Sequence, residues 1–486
     1  MSSVPAAFAT LRRWLDAHDV RLHPALFFAH DDVCGMSIFS CMELPAGTCA
    51  IDLPAGLPIT STFSRASIAS LVGVAIEGNQ AEEEGLHARL AALAPGSSLV
   101  PSDWVVFHLA LVRLLLNLRL VQVGADGKAA IRDPLSPSAD RTSLADLTRH
   151  AAYIQAIPYP EVAPTPLHFN AAELNLLRGT SLHGATLERR RRGELVAGCL
   201  LNWLVEHKDT IQHDAVRQAV ESVSGDQAGS RRWSVLWRWA DTAFGSDDGP
   251  ASIGAVLIPG LDSFNHQRGR PVTWKHDAST DTPGTAGRTK LILDSPTDAN
   301  AQVFNNYGAK STEELLGSYG FVLDDPEARQ DDALGLVVSA RPAQGVSEPA
   351  ASSGAQSLQR HWWRYGNTQG PPRALIDEIR ARLREGDGDG EDGPALDELE
   401  EVEQYGEVYE ALLDMLQAKL QSFRAGPSLE PIRLDEDGSL PVREGVARMV
   451  NVYRGGQETI LTHAIAWCDR KLEELEARWA ELGGDE

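Results

Sequence analysis

Two short stretches of the sequence bring polar and aromatic side chains together more densely than a strand requires. Residues 258–266 read IPGLDSFNH, and they place a carboxylate, a carboxamide and an imidazole within five residues as Asp262, Asn265 and His266. These groups could surround a polar ligand. The spacing Asp-x-x-Asn-His is also the pattern of a turn that an Asx side chain caps, so the spacing alone leaves both interpretations open.

The second stretch contains two Tyr-Gly pairs. Residues 302–308 read QVFNNYG and residues 313–321 read EELLGSYGF, so Tyr307 and Tyr319 lie twelve residues apart. Aromatic rings at this density could line a ligand channel, and Phe321 would extend its wall. Tyr319 and Phe321 are also typical of ordinary aromatic core residues.

The surrounding elements indicate how these stretches would be positioned. Strand-like runs bounded by glycine or proline occur at 38–39, 49–51, 255–258, 272–274, 291–293 and 302–304. A long and mainly helical stretch, 67–240, separates the two groups of runs. One sheet built from both ends, with the helices inserted between them, explains this order better than a row of small independent domains. The sequence therefore predicts an α+β fold.

Beyond residue 340 the sequence is mainly helical. Segments 374–383 and 407–423 have helical composition, and 458–479 carries an apolar stripe at helical spacing. The segment 385–403 is dense in Asp, Glu and Gly. This composition predicts a solvated and mobile linker.

The charge balance limits the kinds of partner. Lys and Arg number 44 against 68 Asp and Glu, which gives a formal net charge of −24. A chain this acidic repels phosphate backbones, so direct binding to nucleic acid is disfavoured. A basic protein, such as a ribosomal protein or a histone tail, would be attracted instead. This attraction affects encounter and not specificity.

Cysteine usage and hydropathy favour an intracellular protein. The five cysteines are odd in number and match no zinc-binding spacing, so we expect free thiols in a reducing compartment and no metal. The first residues do not have the pattern of a secretory signal. Residues 104–120 are apolar, but His108, Arg113 and Asn117 interrupt them, which predicts a buried helix rather than a membrane span. We expect a soluble protein of the cytoplasm, the nucleus or both, without a membrane partner.

Several motifs, taken in order, resemble the SET domain of protein lysine methyltransferases. The similarity is to the branch of the Rubisco large-subunit and ribosomal-protein lysine methyltransferases, and it extends over nearly the whole chain. The matching segments are 35–47, 157–180, 262–266, 307–321 and 452–461. Their occurrence in the expected order is far more specific than any single match.

The resemblance implies a β-rich SET fold with a pseudoknot-like C-terminal end, a helical insertion and an all-α C-terminal substrate-binding domain. The implied divisions are an N-terminal helix with the first part of the SET domain at 1–62, the helical insertion at 63–250, the second part of the SET domain at 251–330, and the substrate-binding domain at 331–486, which contains the acidic linker 385–403.

The resemblance also implies S-adenosylmethionine as cofactor. Gly35 and Met36 match the turn whose backbone contacts it, and a glycine there lets a ligand approach the main chain closely. Asn265 and His266 match the pair that holds the amino-acid end and the adenine. Asp262 would support their loop. Without the resemblance, His266 would be interpreted as a hydrogen-bonded core histidine.

Tyr307 matches the catalytic tyrosine, which also contacts the cofactor. Transfer of a methyl group to an amine is an in-line displacement, so fixed geometry is the main contribution of the protein. The target lysine must be neutral, against a free pKa of about 10.4. A narrow apolar channel beside a sulfonium cation disfavours the ammonium form. Phe244, Tyr319 and Phe321 would line that channel for a lysine on a protein substrate.

Two residues depart from the family pattern. Ser37 stands where a second glycine is usual, and Thr242 replaces an arginine that usually helps to hold the cofactor. These departures support an alternative hypothesis, a non-catalytic SET-fold module that binds protein. A further alternative is methylation of histidine, but Phe244 opposes it because the histidine-directed relative has an asparagine there.

Two other features of the sequence fit ordinary interpretations. The four arginines at 189–192 are interpreted as a solvated helix face rather than a nuclear signal or an acidic-partner contact. No cysteine-rich tail follows the catalytic end, so the zinc-binding element of histone-directed relatives is not expected.

Overall fold

The computed structural model describes residues 5–31, 35–74, 80–131, 141–158, 165–244, 256–277, 287–323, 330–338, 360–367, 369–387, 397–426 and 441–483. The chain divides into two compact units. The first comprises Met1–Ala163 with Arg189–Ala309, and the second comprises Pro164–Glu188 with Lys310–Glu486.

The elements within the described residues are as follows. The strands are β1 (Arg21–Leu22), β2 (Leu26–Asp31), β3 (Gly35–Ser40), β4 (Thr48–Pro54), β5 (Ile59–Thr60), β6 (Val121–Val123), β7 (Ala129–Ile131), β8 (Val256–Leu257), β9 (Val272–Asp277), β10 (Arg288–Leu293), β11 (Ala333–Val337) and β12 (Arg360–Arg364). The helices are α1 (Ala6–Ala17), α2 (Ser61–Val72), α3 (Gln80–Leu93), α4 (Pro101–Asn117), α5 (Arg141–Thr148), α6 (Ala151–Ala156), α7 (Ala171–Leu176), α8 (Ser181–Glu206), α9 (Asp214–Ser224), α10 (Gln227–Phe244), α11 (Thr312–Glu314), α12 (Arg373–Asp387), α13 (Glu398–Arg424) and α14 (Glu444–Glu481).

Strands from both ends of the helical stretch build the main sheet of the first unit. It has four strands in the order β1-β4-β10-β9, and all neighbouring pairs are antiparallel. Ile51 of β4 lies opposite Leu291 of β10, and both are fully buried. The register shifts by a bulge after Leu291, which bends the strand pair. The prediction that distant strands share one sheet is confirmed.

Helix α4 forms the centre of the helical part of this unit. Its residues Asp103 to Leu115 are all buried, as the interrupted apolar run predicts. The helix begins at Pro101, and the Asp103 carboxylate accepts a hydrogen bond from the Val100 backbone N–H at 2.8 Å. Phe107 packs edge-on against Trp233 of α10, with ring centroids 5.8 Å apart. No helix in the described part of the chain is long and apolar enough to cross a membrane.

Two of the buried histidines in this helical part, His108 and His150, have backbone carbonyl partners. His108 Nε2 is 2.8 Å from the Leu147 carbonyl oxygen, and its Nδ1 is 3.1 Å from Ser64 Oγ. These partners fit a neutral ring that donates through Nε2 and accepts through Nδ1. His150 Nε2 contacts the Leu57 carbonyl oxygen at 2.8 Å. Burial lowers the pKa of His108 to about 4 and that of His150 to about 3.

The stability of the first unit should therefore depend on pH. An unfolded histidine binds a proton near pH 6.5, whereas folded His108 does so only near pH 4. Its contribution is complete above pH 6.5 and is lost as the pH falls toward 4, by on the order of 3 kcal/mol. Denaturant unfolding measured from pH 7 downward should show this loss, and His108→Gln should flatten the dependence.

The exposed His276 on β9 offers a matched control for this measurement. The variant His276→Gln removes a histidine ring that is exposed to solvent. It should therefore leave the slope of unfolding free energy against pH unchanged. Equal slopes for His108→Gln and the unsubstituted protein would contradict the assignment of the pH dependence to the buried ring.

The second unit contains a packed layer of long helices. Arg424 near the end of α13 pairs with Glu458 of α14 at 2.8 Å, and the Trp479 indole N–H donates to Glu403 Oε1 at 2.9 Å. These contacts show that α13 and α14 run antiparallel. Their shared core includes Leu412, Leu416, Leu461, Ala464 and Cys468, all fully buried.

This unit differs from the sequence prediction in two respects. It is helical but not all-α, because β11 and β12 form an antiparallel pair with Leu334 opposite Trp363. Part of the predicted mobile linker 385–403 is helical instead, because residues 385–387 belong to α12 and residues 398–403 to α13. Asp397 begins α13 with a capping box that includes Glu400, so acidic side chains here stabilise a helix start. Residues 388–396 lie outside the described residues.

The motif at 452–457 supplies polar contacts inside the second unit. The buried Arg454 guanidinium donates to three backbone carbonyls at 2.6–3.1 Å, those of Leu176, Arg178 and Phe423. The Tyr453 hydroxyl donates to Glu313 Oε2 at 2.8 Å. Burial raises the pKa of Tyr453 well above its usual value, so this hydroxyl keeps its proton. These contacts satisfy polar groups that the packing of the helices buries.

Candidate active site

The first segment of the site is the start of β3. Gly35 has φ +71°, a left-handed conformation that side chains disfavour, and it begins the strand directly. Met36 lies opposite His30 of β2, and Ser37 lies opposite Ala29. The glycine therefore has a conformational reason for its position.

The second segment is the 302–305 stretch, which lies between β3 and the 265–267 loop. The Val303 N–H donates to the Ile38 carbonyl at 2.8 Å. On the other side, the Asn305 N–H donates to the Asn265 carbonyl at 2.8 Å, and the Gln267 N–H donates back to Asn305 at 2.9 Å. His266 and Asn305 form a parallel bridge. The predicted strand at 302–304 is thus present as isolated pairing rather than as a regular strand.

Tyr307 is held against His266 through three contacts. Its backbone N–H donates to His266 Nδ1 at 3.0 Å, its hydroxyl donates to the Phe264 carbonyl at 3.0 Å, and the two rings stack with centroids 5.1 Å apart. Because Nδ1 accepts a hydrogen bond, the His266 proton in a neutral ring lies on Nε2. Asn265, His266 and Tyr307 therefore lie together, although 40 residues of chain separate the two motifs.

Asp262 turns one oxygen toward the base of the loop. Its Oδ2 accepts hydrogen bonds from the Ile258 N–H at 2.8 Å and from the Tyr153 hydroxyl at 2.7 Å. Gly260, which lies between Ile258 and Asp262 in the sequence, has φ +85°. A Cβ atom there would lie 3.1 Å from atoms of Leu15 and Ile51. This geometry is that of a carboxylate that orders a loop.

Trp274 is a member of the site that the sequence did not indicate. Its indole N–H donates to Asn305 Oδ1 at 3.1 Å, and the Asn306 N–H donates to the same oxygen at 2.8 Å. Asn305 is buried, whereas Trp274 remains 46% exposed at the edge strand β9. An aromatic residue on a strand is common, so nothing in the sequence singles out this one.

Two solved structures share this fold. The crystal structure of the SET domain of LSMT bound to lysine and AdoHcy matches 99% of this chain and 96% of that chain, with a TM-score of 0.63 and 16% identity. The structure of Rubisco LSMT bound to AdoMet matches over the same shares with a TM-score of 0.60. This chain has the fold of LSMT. The α+β SET architecture inferred from the motifs is confirmed.

Sequence similarity points to the same group. Ribosomal lysine N-methyltransferase set10 of Schizosaccharomyces pombe is 28% identical over 181 residues, which is 36% of this chain and 28% of that protein. Ribosomal lysine N-methyltransferase 1 of Saccharomyces cerevisiae is 26% identical over 199 residues. The alignments thus span under a third of each relative, 28% and 32%. No family model matches the chain.

The residues expected to line a lysine channel are described only in part. Phe244 is the last residue of α10, and its side chain lies outside the described residues. Tyr319 and Phe321 belong to the second unit, where their ring centroids lie 6.2 Å apart. Tyr319 ends a π-helical turn, Leu315–Tyr319, a rare geometry that often occurs near functional sites. Their place beside Tyr307 stays a prediction.

The arginine run beside α10 is not a simple solvated face. Arg189 binds the Asp241 carboxylate through Nε at 3.0 Å and Nη2 at 2.8 Å, directly before Thr242 in the chain. Arg192 binds Asp103 in the same two-pronged way, at 2.9 and 2.7 Å. These side chains join helices, as bidentate arginine–carboxylate pairs do. The spacing of the run did not reveal its partners.

We expect the Trp274 hydrogen bond to stabilise the Asn305 segment. Trp274→Phe keeps an aromatic ring, although a smaller one, and removes the indole N–H, which should cost about 1 kcal/mol. In a unit of this size such a loss lowers the melting temperature by roughly 2 °C, measurable by calorimetry. Trp362→Phe, at a similarly exposed ring on β12, is the control and should cause a smaller shift. Equal melting temperatures for both variants would contradict a stabilising role.

Proposed function

We propose that this protein transfers a methyl group from S-adenosylmethionine to the side-chain amine of a lysine on a protein substrate. The observation that supports this proposal is the parallel pairing of Asn305 with residues 265–267. That pairing gathers Asn265, His266 and Tyr307 beside the start of β3. The fold match to LSMT and the two yeast relatives support the same activity.

The residues present fit this cofactor in two respects. Gly35 and Met36 offer a strand start where the glycine has no side chain to block a ligand. Asn265 is only half-buried and carries both a donor and an acceptor, which suits a ligand group with an ammonium and a carboxylate. His266 and Tyr307 would complete the site.

The reaction needs alignment more than it needs acid–base groups. S-adenosylmethionine, when bound, supplies an electrophilic methyl group on a positively charged sulfur. The Tyr307 hydroxyl would help to fix the position of that methyl group, because the bond to the Phe264 carbonyl and the stacking on His266 hold the ring in one place. Preset geometry of this kind can account for a large share of a rate acceleration.

The target lysine must enter without its charge. A free lysine side chain has a pKa of about 10.4, so it is protonated at neutral pH. An apolar channel disfavours the charged form by desolvation, and a nearby cation disfavours it by repulsion. Phe244, Tyr319 and Phe321 are the proposed walls of this channel, and the released proton passes to water.

Tyr307→Phe tests the catalytic assignment. The variant keeps the ring but loses the hydroxyl, so methyl transfer should fall by roughly 100-fold or more, in the range seen when one positioned donor is removed. Calorimetry should show that S-adenosylmethionine still binds. Tyr153→Phe is the matched control, since its hydroxyl contacts Asp262, and it should lose far less activity. Unchanged turnover in Tyr307→Phe would overturn the role of Tyr307.

The proposed substrate is a basic protein, with a ribosomal protein as the first candidate. The two yeast relatives are named for ribosomal lysine methylation, and the charge of −24 favours encounter with a basic partner. With such a substrate, we propose that the enzyme acts in the cytoplasm or the nucleus. Cell extract incubated with labelled S-adenosylmethionine should give a labelled basic protein. Mass spectrometry should locate the label on lysine, and a label on histidine would support the opposing specificity.

Thr242 favours a second candidate function, a SET-fold module that binds protein without methyl transfer. An arginine is absent at this position, and the guanidinium of Arg189 beside it is engaged by Asp241. Titration of S-adenosylmethionine in a calorimeter separates the two functions. We expect saturable heat and a raised melting temperature. No heat and no thermal shift would favour the module.

A further inference from the structure

The Asn265 side chain is held by a residue of β3. Its Nδ2 donates to Ser37 Oγ at 2.5 Å, across 228 positions of sequence. Ser37 is fully buried, and Asn265 is half-buried. The Ser37 hydroxyl also lies 3.5 Å from the Gly35 carbonyl oxygen, which is longer than a normal O–H···O hydrogen bond.

This contact makes Asn265 the junction of two segments. Its backbone carbonyl accepts from the Asn305 N–H at 2.8 Å, which ties it to the segment that carries Tyr307. Its side chain reaches the strand that begins with Gly35 and Met36. One residue thus links the glycine turn to the tyrosine segment, and Ser37 provides the side-chain half of that link.

In this contact the carboxamide directs its NH₂ group toward Ser37. An amide can present either its NH₂ group or its oxygen, and these have opposite hydrogen-bonding roles. With Nδ2 directed to Ser37, Oδ1 is free to face elsewhere and to accept a hydrogen bond. A glycine or alanine at position 37 would leave Nδ2 without this acceptor, and the amide would lose its preferred orientation.

We propose that Ser37 is a positioning residue that orients the Asn265 carboxamide for binding of S-adenosylmethionine. The inference rests on the proposed function. Ser37 stands where the family usually has a second glycine, and the proposal gives this serine a function in cofactor binding. It acts on cofactor affinity through Asn265 and has no direct part in the displacement.

Ser37→Ala removes only the hydroxyl and is the main test. We expect the KM and calorimetric Kd for S-adenosylmethionine to rise on the order of tenfold, the effect of one lost hydrogen bond to a polar group. The KM for the protein substrate and the kcat should change by less than about twofold. Ser40→Ala is the matched control, because Ser40 is equally buried on β3 but its hydroxyl donates to the Met42 carbonyl at 2.6 Å. It should leave cofactor affinity unchanged.

A double-mutant cycle shows whether Ser37 acts through Asn265. Asn265→Ala alone should weaken binding, and adding Ser37→Ala to it should cause little further loss. Ser37→Thr keeps a hydroxyl at this position and should bind S-adenosylmethionine more tightly than Ser37→Ala. If Ser37→Ala cannot be purified folded, Ser37→Gly removes the same hydroxyl without adding volume and enters the cycle instead.

The outcomes distinguish this inference from the proposed function. Unchanged cofactor affinity in Ser37→Ala, or additive losses in the cycle, would overturn the positioning role while methyl transfer stands. Failure of the unsubstituted protein to bind S-adenosylmethionine would overturn the proposed function and the inference together. A tenfold loss that the Asn265→Ala background abolishes would establish the link.

Discussion

The parallel pairing of Asn305 with the 265–267 loop is the constraint on which the site depends. Two backbone hydrogen bonds form there, and the Tyr307 N–H and hydroxyl add two more against His266 and Phe264. Asn305 and Phe264 are buried, so groups that lost these partners would find no water to replace them. The segments therefore remain together. These hydrogen bonds fix the position of the 305–307 segment although it is not a regular strand.

The remainder of the first unit brings these segments to the same place. Arg288 of β10 binds Asp52 of β4 at 2.6 Å, a contact that spans 236 positions of sequence. Helices α2, α5, α6, α9 and α10 of this unit contact the buried α4, and their apolar side chains share one core with it. Packing of this kind leaves little freedom for either strand, so the loops that follow them are positioned by a rigid framework.

The second unit is also held by hydrogen bonds between buried polar groups. Its helices enclose Arg454, Tyr453 and Glu313, and each polar group there has a protein partner. Buried charges are costly unless they are paired in this way. The motif at 452–457 is therefore explained by packing within the unit, and its resemblance to relatives does not require contact with a substrate.

Much of this organisation could be predicted from the sequence. Apolar runs and turn residues gave the strands at both ends, the buried helix α4 and the α+β class, while ordered motifs pointed to Asn265, His266 and Tyr307. Periodicity reports which face of an element is buried, but it does not report what that face meets. The hydrogen bonds from Trp274 to Asn305, from Asn265 to Ser37 and from Arg189 to Asp241 arise only when distant segments pack. They depend on the path of the folded chain, which no local pattern encodes.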